Sequence, residues 1–191
     1  QVEQILSLED EQQRLDRIAA SVNWDDPGPG GFYDDLGDPE RQPHVVMGGT
    51  YEENPSRIGR VTEGHYRWLN NESLKVDPRF KYSMLNYSQT LHGMPLILRY
   101  DGLDKNARYK LKVIEFGRFG ASIDLIADDE HLIHGPLRPQ HPLWPIEYDI
   151  PAAATADGRL ELKWRLVEGR GTQVAEVWLM KVAPESDERP R

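Results

Sequence analysis

The chain has 191 residues and a formal net charge of −9, so its surface would repel nucleic-acid phosphates and anionic membranes. We therefore expect no nucleic acid and no membrane as partner, whereas a neutral ligand or a cation suits such a surface. No apolar run approaches the roughly 20 residues that cross a bilayer. The sequence has no cysteine, which excludes disulfides and thiolate metal sites but fits either side of a bacterial membrane.

The first 22 residues predict one amphipathic α-helix. Apolar residues recur at helical spacing between charged and glutamine side chains: Ile5, Leu8, Leu15, Ile18 and Val22. The apolar stripe is narrow and is expected to dock on the sandwich or on a domain outside this chain, and we expect part of it to pack on a preceding domain or another subunit. The opening residues carry neither an initiator methionine nor a signal-peptide pattern. We expect the chain to be a processed product or a piece of a longer protein.

Residues 23–39 change composition abruptly and predict a turn-dense loop. Trp24, Phe32 and Tyr33 are expected to hold this loop against a core. Its aspartates could supply hard oxygen ligands to Ca²⁺, which accepts irregular geometry. The candidate metal ligands are Asp25, Asp26, Asp34, Asp35 and Asp38. The alternative is that these side chains only cap turns beside glycine and proline.

A long polar region follows, over residues 49–93, and its scattered aromatic residues suggest a functional loop. A sugar ring needs a flat apolar face with hydrogen bonds at its rim. The candidate ligand-binding residues are Tyr66, Trp68, Asn70, Tyr82, Tyr87 and Trp144. The alternative is that these rings pack inward and keep a long loop ordered.

From Leu96 to Val182 apolar and polar residues alternate in short runs separated by turns, with no helical pattern between them. Strands are predicted at residues 96–100, 109–116, 122–127, 146–150, 160–166 and 174–182. The pattern predicts a mainly β fold, an antiparallel β-sandwich, in which residues 23–183 form one domain and 184–191 a disordered tail. We place Trp164 and Trp178 in the core. The last strand is predicted to be central, and the strand before it to lie nearer the surface.

Motifs for catalysis are missing from the sequence. No serine lies in a Gly-x-Ser-x-Gly elbow, and the glycine-rich stretch lacks the features of a phosphate-binding loop. His131 and His134 would lie on opposite sides of a strand, which disfavours a zinc site. Glu147 and Asp149 share a strand face, as glycosidase carboxylates might, but that face is more simply the solvated one.

Three strings in the sequence resemble the C-terminal module of large bacterial polysaccharide-degrading proteins, the glycoside hydrolases and polysaccharide lyases. They are NWDDPGPGGFYDDLG at residues 23–37, LRYDGL at 98–103 leading to YKL at 109–111, and QVAEVWLMK at 173–181. The resemblance implies a galactose-binding-like, jelly-roll β-sandwich that follows a catalytic domain and often carries a structural Ca²⁺. It also implies a glycan or polysaccharide as partner and, as compartment, the periplasm or the exterior of a bacterium.

Three hypotheses for the function follow. The first is a non-catalytic, carbohydrate-associated module that binds glycan through loop aromatics or scaffolds a catalytic domain. The second is a glycoside hydrolase or polysaccharide lyase in its own right, or the C-terminal part of one. The third is an oligomerisation or interaction domain that uses the apolar stripe of the helix.

Overall fold

The computed structural model describes residues 10–47, 57–58, 81–139 and 144–182. In these residues it shows an antiparallel β-sandwich preceded by one α-helix, as predicted. The helix is α1, Glu11–Val22. The strands are β1 Phe32–Asp35, β2 Val45–Met47, β3 Arg57–Ile58, β4 Ser88–Thr90, β5 Leu96–Asp101, β6 Arg108–Glu115, β7 Ser122–Ala127, β8 His131–Leu137, β9 Ile146–Ile150, β10 Arg159–Glu168 and β11 Thr172–Val182.

The strands form two sheets. The first sheet has the order β3-β4-β11-β6-β9, with β1 also paired to β11, and the second has the order β2-β5-β10-β7-β8. From β5 to β11 every connection passes from one sheet to the other, except the hairpin between β7 and β8. The six predicted strands are all present within a residue or two of their predicted ends.

The main core fills the space between the two sheets. On β10 the side chains of Leu160, Leu162 and Trp164 point inward and have no exposed surface, while Lys163 and Arg165 point outward. On β11 the inward residues include Val177. This alternation places one face of each strand in the core.

Of the positions predicted for the last two strands, that of β11 is correct and that of β10 is wrong. β11 lies between β6 on one side and β4 and β1 on the other, so it is central, as predicted. The prediction that β10 lies nearer the surface is wrong, because β10 is the middle strand of the second sheet. Its outward charged residues gave the impression of an edge strand, but charged outer faces are equally compatible with a central antiparallel strand.

A second apolar cluster covers the outer face of the first sheet. Its buried members are Met84, Tyr87, Ile114, Phe116, Ala175 and Trp178. Trp178 is fully buried, as predicted, but it lies in this outer cluster and not between the sheets. The pairing of β11 with β6 shifts register between Val174 and Glu176. The alternation of inward and outward side chains counted from the start of β11 therefore does not hold beyond this shift.

The segment predicted to be a single loop contains a strand. β1 pairs with β11, with Phe32 opposite Leu179 and Asp35 opposite Glu176. Phe32 and Tyr33 hold the segment against the two apolar clusters, as predicted. The sequence pattern did not predict β1 because the strand ends in aspartates, and aspartate is depleted in strands and enriched in turns.

The helix α1 begins after Asp10, whose side chain accepts a hydrogen bond from the backbone N–H of Gln13. This is an ordinary N-terminal cap. Leu15 and Ile18 are 53% and 46% exposed, so this part of the apolar stripe faces outward. Residues 1–9 of the predicted helix and the predicted tail lie outside the described residues. Where the structure is described, no helix is both long enough and apolar enough to span a membrane.

Candidate functional site

The predicted ligand-binding residues do not form one described site. Tyr66, Trp68 and Asn70 lie outside the described residues. Tyr82 begins a short 3-10 turn, Tyr82–Leu85. Tyr87 is completely buried, with its ring 4.5 Å from that of Phe116, and so takes the packing role that was the alternative.

Trp144 is half-buried against the second apolar cluster. The binding role of the set stays a prediction.

The five predicted metal ligands each have another partner. Asp25 pairs with Arg41 at 2.5 Å, and Asp26 accepts a hydrogen bond from the backbone of Gly28. Asp35 and Asp38 accept hydrogen bonds from backbone N–H groups two residues further on. The contacts of Asp26, Asp35 and Asp38 are the turn-capping contacts that the alternative interpretation predicted.

Asp34 is separated from the other aspartates because it points between the sheets. Its carboxylate accepts hydrogen bonds from the backbone N–H of His44 and, at 3.0 Å, from the hydroxyl of Tyr100, and it lies 2.9 Å from the ring Nδ1 of His44. Burial, then the charge and hydrogen bond of Asp34, raise the pKa of Tyr100.

The described residues contain no group of three or more histidine, aspartate or glutamate side chains that could hold a metal ion. The calcium site stays a prediction, which a calcium titration followed by thermal unfolding tests.

One row of side chains crosses the outer face of the first sheet and is the strongest candidate site. Strand register places Tyr33 on β1 beside Trp178 on β11, then Lys112 on β6, then Glu147 on the edge strand β9. Cross-strand neighbours of this kind lie within about 5.5 Å at their β-carbons. We call these four residues, together with Trp24 above them, the ledge.

Lys112 lies at the centre of the ledge. Its Nζ is 4.0 Å from the centre of the Trp178 ring and 5.4 Å from that of Trp24. Within the described part of the chain this ammonium forms no hydrogen bond and no ion pair. Three other lysines differ, since Lys110, Lys163 and Lys181 each pair with a carboxylate.

The surroundings of Lys112 affect its protonation. Burial lowers the pKa of Lys112, and the negative charges of Glu147 and Glu176 partly oppose this effect. Contact with the faces of two indole rings also favours the charged ammonium. The ledge therefore offers a cationic hydrogen-bond donor in apolar surroundings, beside the exposed carboxylate of Glu147.

Trp24 is held above the sheet by bonds at both its ring and its backbone. Its Nε1–H donates to Glu176 Oε2 at 2.6 Å, and its carbonyl oxygen accepts from Trp178 Nε1–H at 2.9 Å. The two indole rings meet edge to face, with centroids 5.3 Å apart. Trp24 remains half-buried, so part of its surface stays at the ledge.

Glu176 is a completely buried carboxylate beneath Trp24. Its Oε2 also accepts a hydrogen bond from the Tyr33 hydroxyl at 2.8 Å, whereas its Oε1 has no hydrogen-bond partner in the described residues. Burial raises the pKa of Glu176, although hydrogen bonds from Ser83, Tyr33 and Trp24 oppose the shift. Burial and the nearby charge of Glu176 likewise raise the pKa of Tyr33.

Away from the ledge, Glu115 is a further buried carboxylate that, like Asp34, joins the two sheets. Glu115 on β6 accepts a hydrogen bond from Trp164 Nε1–H at 2.8 Å and lies 2.9 Å from Nε2 of His134 on β8. Burial alone would lower the pKa of His134, but the hydrogen bond and charge of Glu115 outweigh it and raise that pKa. The Tyr148 ring stacks on His134 at 5.0 Å. This group bridges β6, β8, β9 and β10 within the core.

Sequence reasoning missed Lys112 as a site residue. An outward lysine on an alternating strand normally faces water, and only its lateral neighbours, set by register, distinguish it. Glu147 and Asp149 are exposed on one face, as predicted. From the sequence, Trp24 was expected only to pack against a core. Its position as a tryptophan inside a polar, turn-rich segment is a signal that could also have indicated a binding role.

No protein-family model matches the chain, and no curated protein matches it. Among solved structures, it is similar to a family GH115 4-O-methyl-α-glucuronidase with specificity for decorated arabinogalactans. That similarity has a TM-score of 0.41 and 10% identity, over 52% of this chain and 15% of the other.

It is also similar to a Podospora anserina GH26-CBM35 β-(1,4)-mannanase. Here the TM-score is 0.43 and the identity 8%, over 83% of this chain and 29% of the other. The chain spans less than a third of the length of either structure. These likenesses are too distant to assign the chain to a family or to carry an argument about its function.

Proposed function

We propose that this chain is a carbohydrate-associated β-sandwich module that binds glycan at the ledge and does not cleave it. The observation that carries the proposal is the position of Lys112, whose ammonium makes no ion pair with the described residues and lies 4.0 and 5.4 Å from the centres of two tryptophan rings on the outer face of the first sheet. The chain has a net charge of −9 and therefore abundant carboxylates, yet the Lys112 ammonium forms no ion pair with any carboxylate of the described residues.

The chemistry of the ledge suits a sugar. Sugar rings present apolar C–H faces to aromatic surfaces and hydroxyl groups to polar residues at the rim. Trp24 supplies an indole surface, Lys112 a donor and Glu147 an acceptor. A hydrogen bond from the Lys112 ammonium is expected to be stronger in these half-buried surroundings, because hydrogen bonds to charged groups become stronger where water is excluded.

The three strings that resemble polysaccharide-degrading proteins build most of the ledge. The first supplies Trp24 and Tyr33, and the third supplies Glu176 and Trp178. The second ends one residue before Lys112. The resemblance and the ledge therefore support the proposal through three shared residues, Trp24, Tyr33 and Trp178, whereas Lys112 on β6 and Glu147 on β9 come from outside the strings.

Three of the loop residues predicted to bind glycan, Tyr66, Trp68 and Asn70, belong to the proposal as contacts for a longer chain of sugars. The half-buried Trp144 extends the aromatic surface of the same outer cluster. Truncating Trp68 or Trp144 to alanine is expected to weaken retention on a polysaccharide.

Affinity electrophoresis in gels that contain neutral or acidic polysaccharides tests the proposal. We expect the wild-type chain to be retarded by at least one polysaccharide, and Lys112→Met to lose about tenfold in affinity, the worth of one good charged contact. Methionine keeps most of the packing volume against the indoles. The control is Lys163→Met, which removes the same charge from the outer face of the other sheet.

Absence of retardation in every gel would overturn the proposal, and so would equal retardation of Lys112→Met and the wild type. Release of soluble sugar by the chain alone would favour the hydrolase or lyase alternative.

A second candidate role is contact with another domain or subunit through α1. The exposed Leu15 and Ile18 on one helix carry it. Light scattering of the whole chain and of Leu15→Gln with Ile18→Gln tests self-association: a monomer in both cases would remove the oligomer version of this role.

A further inference from the structure

His134 on β8 lies between two hydrogen-bond acceptors. Its Nδ1 is 2.8 Å from the carbonyl oxygen of Gly135, and its Nε2 is 2.9 Å from Oε1 of Glu115. A carbonyl oxygen carries no hydrogen, so Nδ1 must carry one. The contact between Nε2 and Glu115 also needs a proton, which lies either on the imidazole or on the carboxyl group. The pair therefore holds one proton more than a neutral histidine beside a carboxylate would.

A second histidine–carboxylate pair has no such requirement. Nδ1 of His44 lies 2.9 Å from Oδ2 of the buried Asp34. Nε2 of His44 has no hydrogen-bond partner among the described residues, so the single N–H of a neutral imidazole satisfies this contact. In both pairs a tyrosine ring packs on the imidazole, Tyr100 on His44 and Tyr148 on His134. The two pairs are alike in construction and differ in the proton that the second contact of His134 needs.

The His134 pair is buried, so loss of its shared proton has a large effect. The side chains of His134 and Glu115 are 9% and 1% exposed, and Oε2 of Glu115 has no hydrogen-bond partner in the described part of the chain. Without the proton, the lone pair of Nε2 would face a carboxylate oxygen at 2.9 Å. Such a contact is repulsive where little water screens it, so the two side chains are expected to separate.

The charges around His134 favour the extra proton. Burial disfavours the imidazolium, but two carboxylates outweigh it and raise the pKa of His134. Glu115 on β6 makes the larger contribution, through its hydrogen bond and its charge, and Asp124 on β7 makes a smaller one. Arg165 donates two hydrogen bonds to Asp124 and so neutralises much of that charge. Glu115 is therefore the partner that decides the protonation of His134.

The other groups packed on the pair do not titrate with it. The hydroxyl of Tyr148 on β9 stays protonated, because burial and then the charge of Glu115 raise its pKa. Trp164 on β10 donates to Glu115 and has no titratable group. On β8 itself the other titratable side chain is that of His131, at the first residue of the strand.

The pair lies beneath the strand that carries one member of the ledge. In the described residues β8 and β9 are edge strands, each hydrogen-bonded to only one neighbour. Tyr148 packs on the core and stacks on His134, whereas Glu147 is exposed and lies opposite Lys112 on β6. Elements with few bonds to their neighbours open at a lower free energy than the interior. Separation of the pair would thus remove a contact on the inner face of β9 and loosen Glu147 on the outer face.

We propose that the proton shared by His134 and Glu115 holds β9 against the second sheet and thereby keeps Glu147 in place in the ledge. His134 is then a positioning residue, which acts on a glycan through β9 without touching it. The inference rests on the proposed glycan-binding function and adds its regulation: the ledge binds glycan more tightly at mildly acidic pH than at mildly alkaline pH.

The direction of this pH dependence follows from the raised pKa of His134. The stability from a raised histidine pKa is fully present below the pKa of the unfolded chain, about 6.5, and is lost as the pH rises through the folded pKa. In affinity gels with the neutral polysaccharide galactomannan or xylan, we expect affinity to fall about fivefold between mildly acidic and mildly alkaline buffer. Lys112 and Glu176 in the ledge also have shifted pKa values, so the test needs a variant that changes neither.

His134→Gln is that variant. The amide nitrogen of glutamine can take the position of Nε2 and donate to Glu115 at either pH, because it does not titrate. We expect this variant to bind as the wild type does in mildly acidic buffer and to lose the part of the decrease that depends on His134. His44→Gln is the matched control: it makes the same substitution at the pair that shares no extra proton, and it is expected to keep the wild-type pH dependence.

Two NMR measurements without glycan test the hold on β9 directly. The imidazole nitrogens of His134 in the wild type should both stay protonated to a higher pH than those of a histidine in an unfolded peptide. Hydrogen exchange of the β9 amides should be compared between the wild type and His134→Gln at the same pH, which cancels the intrinsic effect of pH on exchange. We expect the ratio of the two rates to rise about fivefold from the acidic to the alkaline buffer.

The outcomes separate this inference from the proposed function. The inference is overturned, and the ledge stands, if the wild type and His134→Gln show the same pH dependence of retardation. A second proton that leaves His134 at the pKa of an unfolded peptide overturns it too, and so does an exchange ratio that is equal at both pH values. If no gel retards the wild type at either pH, the proposed function falls, while a rising exchange ratio still supports the hold of the proton on β9.

Discussion

The outer faces of the two sheets are built differently. On the second sheet, the outward charges neutralise one another: Arg165 makes two hydrogen bonds to Asp124, at 2.8 and 2.9 Å, and Arg99 pairs with Glu161 at 2.6 Å. On the first sheet, Lys112 has no such partner within the described ranges and lies among indole rings beneath Trp24. The outer face of the second sheet is thus an ordinary solvated surface. The outer face of the first sheet is the one on which we propose that glycan binds.

The largest expected effect is at Trp178. Truncation to alanine should lower the free energy of unfolding by about 3–5 kcal/mol, as for a tryptophan in a core, because Trp178 is fully buried on the outer face of the first sheet. Urea denaturation measures it, with Trp164→Ala as the reference from the core between the sheets. A change below about 1 kcal/mol would show that the outer cluster is loosely packed.

Glu176 should come next. Replacement by leucine leaves the Trp24 Nε1–H and the Tyr33 hydroxyl without their acceptor, at about 1–3 kcal/mol for each buried donor that finds no other partner. The loss should be accompanied by a red shift of tryptophan fluorescence as Trp24 becomes more exposed to water. An unchanged spectrum would contradict the assigned role of Glu176 in holding Trp24.

Replacement of Glu176 by glutamine should have the opposite sign at neutral pH. Because the folded state raises the pKa of Glu176, the stability associated with its protonated form is fully present below the pKa of the unfolded chain. That stability is lost as the pH rises through the folded pKa. We therefore expect Glu176→Gln to be more stable than the wild type at neutral pH, with a difference that shrinks towards acid. A difference that grows as the pH falls would contradict this sign.

The smallest effect is expected on the second sheet. Arg165 is 45% exposed, so Arg165→Met should change the free energy of unfolding by at most about 1 kcal/mol, as is usual for surface ion pairs. Added salt should reduce even this difference. A larger, salt-independent loss would show that the outer face of the second sheet also contributes strongly to stability.

The sequence predicted those strands whose alternation is long enough to be recognised locally. β5, β6, β7, β9, β10 and β11 follow from their own residues, whereas the pairing of β1 with β11 provides most of the reason for β1 to be a strand. β1 is four residues long and ends in two aspartates, so its local pattern favours a turn. Local patterns therefore miss short strands such as β1, and they also missed the seven-residue edge strand β8, whose sequence contains Gly135 and Pro136.

The candidate site was less predictable than the fold. Trp178 and Lys112 are separated by dozens of residues and become neighbours through the register of β11 with β6, which contains a shift next to Ala175. A slip of one residue would place Lys112 beside Val177 or Leu179 and turn it towards the core. Register of this kind depends on tertiary packing, so the sequence showed the aromatic residues without their arrangement.

The most direct test of the central claim is a titration of the chain with an oligosaccharide, drawn from the polysaccharide that retards it, followed by NMR of the tryptophan indole N–H groups. Glycan binding at the ledge predicts that the Trp24 and Trp178 resonances shift together and saturate, while that of Trp164, between the sheets, stays in place. Shifts confined to other tryptophans, with Trp24 and Trp178 unmoved at saturation, would contradict the claim.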